Sequence, residues 1–135
     1  MSTFFNDMQA ALDNRLNTLA GGYDIAWPNV PYEPVAGETY LRPTFLPTVT
    51  EQASMGTDGQ DRTDAIYQID VFTQAGSGRT AIPDAVADHF KRGTDLTYNG
   101  TTVRVRNVSI APAIIDGAWQ QVPVSIDFYS YTDAR

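Results

Sequence analysis

The side chains that could do chemistry in this chain are few. His89 is its one imidazole, and it has no cysteine. Nucleophilic catalysis needs a base held beside the nucleophile, and His89 stands next to the apolar Ala85 and Val86, which marks a residue at the edge of a core. One histidine without cysteine also falls short of a usual zinc site. Asp58, Asp61 and Asp64 fall three apart, but they lack the denser oxygen pattern and closing glutamate of a calcium loop. They are expected to form part of a solvated loop. "AGSGRT" (residues 75–80) precedes a helical pattern, as a phosphate loop does. A phosphate loop reads G-x-x-x-x-G-K-[ST]; here position 73 is Thr and Arg79 stands where Lys belongs. Its glycines then serve a tight turn or the close approach of another chain. No catalytic residue, cofactor or metal is expected.

Two acids stand out more. Asp70 and Asp127 each interrupt a strand-like run and each follows an isoleucine. An acid inside a strand is on the wet face or is paired. Arg104 and Arg106 share one face of their own strand, with Val103 and Val105 on the other. Cross-strand ion pairs within one subunit are the plain expectation; pairs across a subunit interface, or an acidic pore lining, are the alternatives.

The elements that must position these groups follow from periodicity. Phe5, Met8, Leu12, Leu16 and Leu19 recur at spacings of three and four, which predicts a helix with one apolar stripe. Asp7, Asp13, Asn14 and Arg15 lie largely off it; Ser2 or Thr3 caps its start and Gly21-Gly22 stops it. "YDIAW" (23–27) is a short strand candidate. "PNVPYEP" (28–34) should be extended and stiff. "ETYLRPTFLPTVTEQ" (38–52) is strand-like but contains Pro43 and Pro47, so it belongs at an edge, bulged or broken. In "DAIYQIDVFTQ" (64–74), Tyr67, Ile69 and Val71 point one way and Gln68, Asp70 and Phe72 the other. A second helix follows, with Thr80 as cap, Pro83 and Asp84 in its first turn, Ile82, Val86 and Phe90 as its buried stripe, and Gly93 as its end. Asn99-Gly100 between alternating runs predicts a hairpin, and Asp116-Gly117 a second return. The order predicts a single α+β domain, with a mostly antiparallel sheet and two helices packed on one face.

The totals agree with one such domain. The chain has 135 residues, 42% hydrophobic and 19% charged, a globular composition. Scaling of surface with size predicts that roughly two-thirds of the unfolded surface is buried. A formal net charge of −7, with nine scattered basic residues, opposes general binding of nucleic acid. No apolar run approaches a membrane span, and the N-terminus lacks a signal-peptide pattern. Production and use in the cytoplasm are expected.

The ordered series "YLRPTFLPT", a polar glycine-containing loop, "YQIDVF", "GSGRTAIPDAVADHF" and "DGAWQQVPVSIDFYSY" resembles the tail terminator (tail completion) proteins of long-tailed bacteriophages, over nearly the whole chain. The resemblance implies a non-enzymatic subunit of a hexameric ring. That ring would cap the head-proximal end of the tail tube, end tube polymerisation and meet the head–tail connector, with DNA passing through its lumen unbound. The acidic balance suits such a channel. A neck or connector protein, or a tube subunit, is the alternative; a small enzyme would need a convergent polar pocket. The resemblance places the subunit in the host cytoplasm during assembly and then in the virion tail.

Residues 54–63 are expected to be the tip of a long hairpin, mobile in a lone subunit and ordered by a neighbour. Arg42, Met55, Asp58, Asp61, Arg62, Asp70, Arg79, Arg104 and Arg106 are the candidates for subunit contact or lumen. Trp119, Phe128, Tyr129 and Tyr131 are expected as sheet core and flank.

Overall fold

The structure is a computed structural model; it describes residues 4–19, 23–28, 30–35, 38–52, 60–76 and 81–133. These form helix α1 (Phe4–Asn17), strands β1 (Asp24–Ile25), β2 (Tyr40–Gln52) and β3 (Gln60–Gln74), helix α2 (Ile82–His89), and strands β4 (Asp95–Tyr98), β5 (Thr101–Ile110), β6 (Ile114–Asp116) and β7 (Trp119–Asp133). The strands join in one sheet of order β1-β2-β3-β7-β5-β4, with β6 paired to β7 beyond the end of β5. The sheet is mixed. β1 runs parallel to β2, and the other pairings are antiparallel.

β2 and β3 form the long hairpin expected, but Gln52 pairs with Asp61, so residues 60–63, expected in its tip, belong to β3 and are held by ladders to β2 and β7. β2 is unbroken through both prolines, because of where their nitrogens point. The Ala26 N–H donates to the Leu41 carbonyl at 2.7 Å, so the main chain of Leu41 faces away from β3. Alternation puts Pro43, Phe45 and Pro47 in the same sense. Both prolines therefore lack an N–H where no β3 partner needs one, and the β2–β3 ladder survives. The expected bulge is present as a register shift between Pro47 and Val49.

β3 sends Ala65, Tyr67, Ile69 and Val71 into the core, where each is 2% exposed or less. Met8, Leu12 and Leu16 of α1, Val86 of α2, Val103 and Val105 of β5, and Val124, Ile126 and Phe128 of β7 complete one cluster. Tyr67 ties both helical ends to it. Its hydroxyl donates to the Asp13 carboxylate of α1, and its ring lies 6.1 Å from that of Phe90. Burial raises the pKa of both groups; for Asp13, the hydrogen bond from Tyr67 offsets part of the rise.

Some local expectations need correction. Phe4, not Phe5, anchors the α1 stripe, while Phe5 packs its edge on Phe45 at 6.4 Å. Asp7 was expected off the stripe and is 5% exposed, because the β4–β5 hairpin lies against α1; Asn99 Nδ2 donates to its carboxylate at 3.4 Å. α2 ends at His89, and Ala81 precedes it without a side-chain cap. Gly93 lies past that end, in a turn whose N–H donates to the Val105 carbonyl. The proposed caps and stops at Ser2, Thr3, Gly21, Gly22 and Thr80 lie outside the described residues.

The two hairpin turns form as expected. Asn99 and Gly100 both take positive φ, 51° and 82°, the type I′ signature. The second turn centres one residue later than expected, on Gly117-Ala118, with Gly117 at φ 60°.

Candidate functional site

The face of β3 opposite the core carries the charged candidates. Arg42 and Asp70 are direct cross-strand partners, and the guanidinium of Arg42 donates to Asp70 Oδ2 at 3.3 Å. The pair is lopsided: the Asp70 side chain is 3% exposed, that of Arg42 50%. Gln68 Nε2 supplies a second donor to Asp70, at 2.8 Å on Oδ1. Two donors on one carboxylate offset part of the cost of taking it out of water. The other side of Arg42 rests on the Phe72 ring, 4.9 Å from its centroid.

Phe72 belongs to an aromatic cluster that pairwise spacing in the sequence did not reveal. It stacks on Tyr40 at 4.5 Å with an interplanar angle of 6°. Tyr40 in turn meets Trp119 edge-on at 5.2 Å and Tyr32 at 5.0 Å. This cluster buries the end of β3 on its second face too, and it explains how Asp70 and Phe72 are both buried. Burial raises the Tyr40 phenol pKa, with Arg42 acting the other way. The hairpin register supplies the missed signal: counting pairs outward from the tip sets Tyr40 opposite Phe72.

A second group forms nearer the hairpin tip. Arg62 Nε donates to Asp64 Oδ1 at 3.0 Å, and its guanidinium lies over the Tyr129 ring at 4.3 Å. Tyr129 is opposite Asp64 on one side and opposite Arg104 on the other. So Arg62 covers the Tyr129 ring, and Arg104 is the register neighbour of Tyr129 on β5. Arg104 pairs with Asp95 at 3.5 Å, both half-exposed. Arg106 sits at the register shift of β5 between Val105 and Asn107 and is exposed. Asp61 lies beside this group, paired with Gln52 and Thr132 in the ladders.

Intrachain cross-strand ion pairs therefore exist, with different partners for the two acids first singled out. Asp70 takes Arg42, and Arg104 takes Asp95; Asp127 lies opposite Asn107 and Ile66. Met55, Asp58 and Arg79 lie outside the described residues, as does the glycine-bearing tip of the long hairpin. Phe128 is core, Tyr129 flanks it, and Tyr131 is exposed with its ring edge-on to Tyr129.

His89 holds the two helices together. Its Nε2 donates to the Arg15 carbonyl at 2.7 Å and lies 3.0 Å from Thr18 Oγ1, while Arg15 Nε donates back to the His89 carbonyl at 3.0 Å. Those contacts make it a clamp between helix ends. Among the described residues, no three His, Asp or Glu side chains gather as metal ligands, and no helix is long and apolar enough to cross a membrane.

One open cleft of about 540 Å³ runs along the unpaired margin of β2. Trp27, Val30 and Tyr32 form one wall; Arg42, Pro43 and Phe45 form the floor. β1 covers β2 only at Tyr40 and Leu41, which leaves the margin beyond them open. Sequence reasoning identified an edge strand here but not the cleft, since the wall comes from a segment without regular structure.

Comparison with known proteins places this fold. A solved chain 23% identical over 93% of both chains superposes with a TM-score of 0.72. A chain from the virion of a native gene transfer agent particle is 22% identical, covers 98% of this chain and 100% of that one, and gives a TM-score of 0.66. Among curated proteins, none matches the chain. At these identities the two structures establish the shared fold. The family model for phage tail terminator proteins matches residues 7–128, from the first turns of α1 into β7. That span takes in both helices, the long hairpin and the ion-paired face, and by it the chain belongs to the phage tail terminator family, a family of structural virion proteins and not of enzymes.

Proposed function

We propose that the chain is a single-domain subunit of a closed ring, a hexamer, that caps the head-proximal end of the phage tail tube, ends tube polymerisation and joins the tail to the head connector. Assembly takes place in the host cytoplasm. The observation that carries this reading is the family match across residues 7–128. Its physical support is threefold. One core cluster joins both helices to the sheet, as a rigid ring segment requires. The charged groups sit on the sheet face away from that cluster, partly neutralised by their own pairs. And a net charge of −7 leaves a lumen that repels DNA and lets it pass without specific binding.

Within this reading Arg42, Asp61, Arg62, Arg104 and Arg106 form subunit-contact or lumen surface, as do Met55, Asp58 and Arg79, whereas Asp70, expected there too, is buried within the subunit and holds Arg42 in place. Exposed pairs such as Asp95–Arg104 contribute little to stability and serve register and partner choice.

The test is mass by light scattering over a wide concentration range, with negative-stain images of the same fractions. Closed rings without filaments are expected. Open-ended tubes would transfer the protein to a tube-subunit role, since a heterologous contact either closes or propagates. Chains that stay monomeric even with purified tail tubes present, and leave tube ends bare, would refute the ring.

A further inference from the structure

Exposed large apolar side chains concentrate at two places among the described residues. Val30, exposed in the cleft, and Leu46, exposed on β2 itself, lie by the margin of β2; Ile110, Ile114 and Ile115 form the second group, at the β5–β6 junction. Five of the eight such side chains thus fall at these two margins, and a solitary soluble chain seldom leaves contiguous apolar patches uncovered. The patches lie on opposite sides of the strand order, one outside β2 and the other outside β7.

We propose that these patches are the two halves of one head-to-tail contact, in which the Ile110–Ile115 segment of one copy lies in the β2 cleft of the next. The proposal rests on the ring reading and names the surfaces that close it. Main-chain chemistry makes the two margins complementary. From Pro43 to Pro47 the β2 margin shows the carbonyls of Pro43, Phe45 and Pro47 but only the N–H of Phe45, because proline has none. It is short of donors, which discourages it from pairing with another β2. Asp116 and Trp119 flank a two-residue turn, so their main chains face each other and that of Ile115 faces outward. Ile115 therefore offers an N–H to a margin rich in acceptors, as in strand addition.

Side chains agree with the main chain. "IAPAII" (110–115) carries no charge and suits the apolar lining of Trp27, Val30, Tyr32 and Phe45. The acid that ends the segment, Asp116, is exposed; the half-exposed Arg42 lines the cleft. Every copy carries both halves, so a second copy fits the cleft without further assumptions. Because the halves differ, the contact is heterologous, the kind that closes into a ring.

The chain has no cysteine, which makes cross-linking specific. The full chain carrying both Val30→Cys and Ile115→Cys is treated with a short bis-maleimide, beside each single variant. The double variant is expected to give a ladder of covalent multimers that stops at the ring size, with each single variant monomeric on the gel. Single variants that cross-link into dimers would overturn the head-to-tail geometry. Rings seen by light scattering without a ladder would overturn these surfaces while sparing the ring. Neither rings nor a ladder, with tube ends supplied, would remove both readings. As an independent check, Ile115→Asp should lower the solution mass to that of a monomer; intact rings that no longer hold tubes would assign the segment to the tube protein and overturn the proposal.

Discussion

Truncating Arg42 to alanine probes the energetics of the charged face most directly. It leaves the Asp70 carboxylate, 3% exposed, with Gln68 as its remaining side-chain donor among the described contacts. A hydrogen bond to a charged group contributes about 1.5–3 kcal/mol. A guanidinium over an aromatic ring at a wet site adds roughly 0.5–1 kcal/mol. Arg42 is half-exposed, so water replaces part of what is lost, and the sum falls near the lower end. Arg42→Ala should cost about 2 kcal/mol. The opposite truncation is milder. Asp70→Asn leaves an arginine that can turn into solvent and an amide whose oxygen still accepts, and Gln68 can turn its own amide to meet the new N–H, at a cost of about 0.5–1 kcal/mol. Urea unfolding followed by Trp27 and Trp119 fluorescence measures both, at one fixed protein concentration because assembly adds to apparent stability. With a slope of about 1–3 kcal/mol per molar urea, Arg42→Ala should lower the midpoint by roughly 1 M and Asp70→Asn by under half of that. The double variant should come out less destabilised than the two costs added, since the pair is lost only once. Equal costs for the two single variants, or strict additivity, would refute the claim that burial of Asp70 makes the pair asymmetric.

Further outcomes are expected. Burial holds the Asp13 pKa above the usual aspartate value, so the folded chain takes up this proton at higher pH than the unfolded chain does. Asp13 therefore adds stability as pH falls through its raised folded value, and the gain is complete below the unfolded value. Asp13→Asn keeps an acceptor for Tyr67 and should flatten this part of the pH–stability curve; an unchanged wild-type-minus-variant difference between neutral and acidic pH would count against it. Leu12→Ala, at a position with no exposure, should cost about 2–5 kcal/mol by calorimetry or urea, and a cost under 1 kcal/mol would mean that α1 packs loosely. Gly100→Ala forces a side chain into φ 82° and should cost about 1–2 kcal/mol with no loss of ring formation, because open space surrounds the position.

Local chemistry made much of this molecule legible in its residue order. Heptad-like spacing placed α1, strict alternation placed β3, and Asn99-Gly100 placed the β4–β5 hairpin, since each depends on neighbours a few residues apart. Pro43 and Pro47 marked an edge strand because a missing N–H is tolerated only where no ladder partner needs it. Scarcity was equally informative: one histidine and no cysteine left little for catalysis. Three things depended on the tertiary structure. Asp7 is buried because a hairpin formed 92 residues away folds over it. Asp70 takes Arg42 rather than a β5 arginine, because the β2–β3 register sets which face and partner each acid meets. The cleft along β2 exists because Trp27, Val30 and Tyr32, in a segment without periodicity, come to rest beside a strand margin that β1 covers for only two residues. Periodicity reports which side chains share a face; register and long-range packing decide what that face meets.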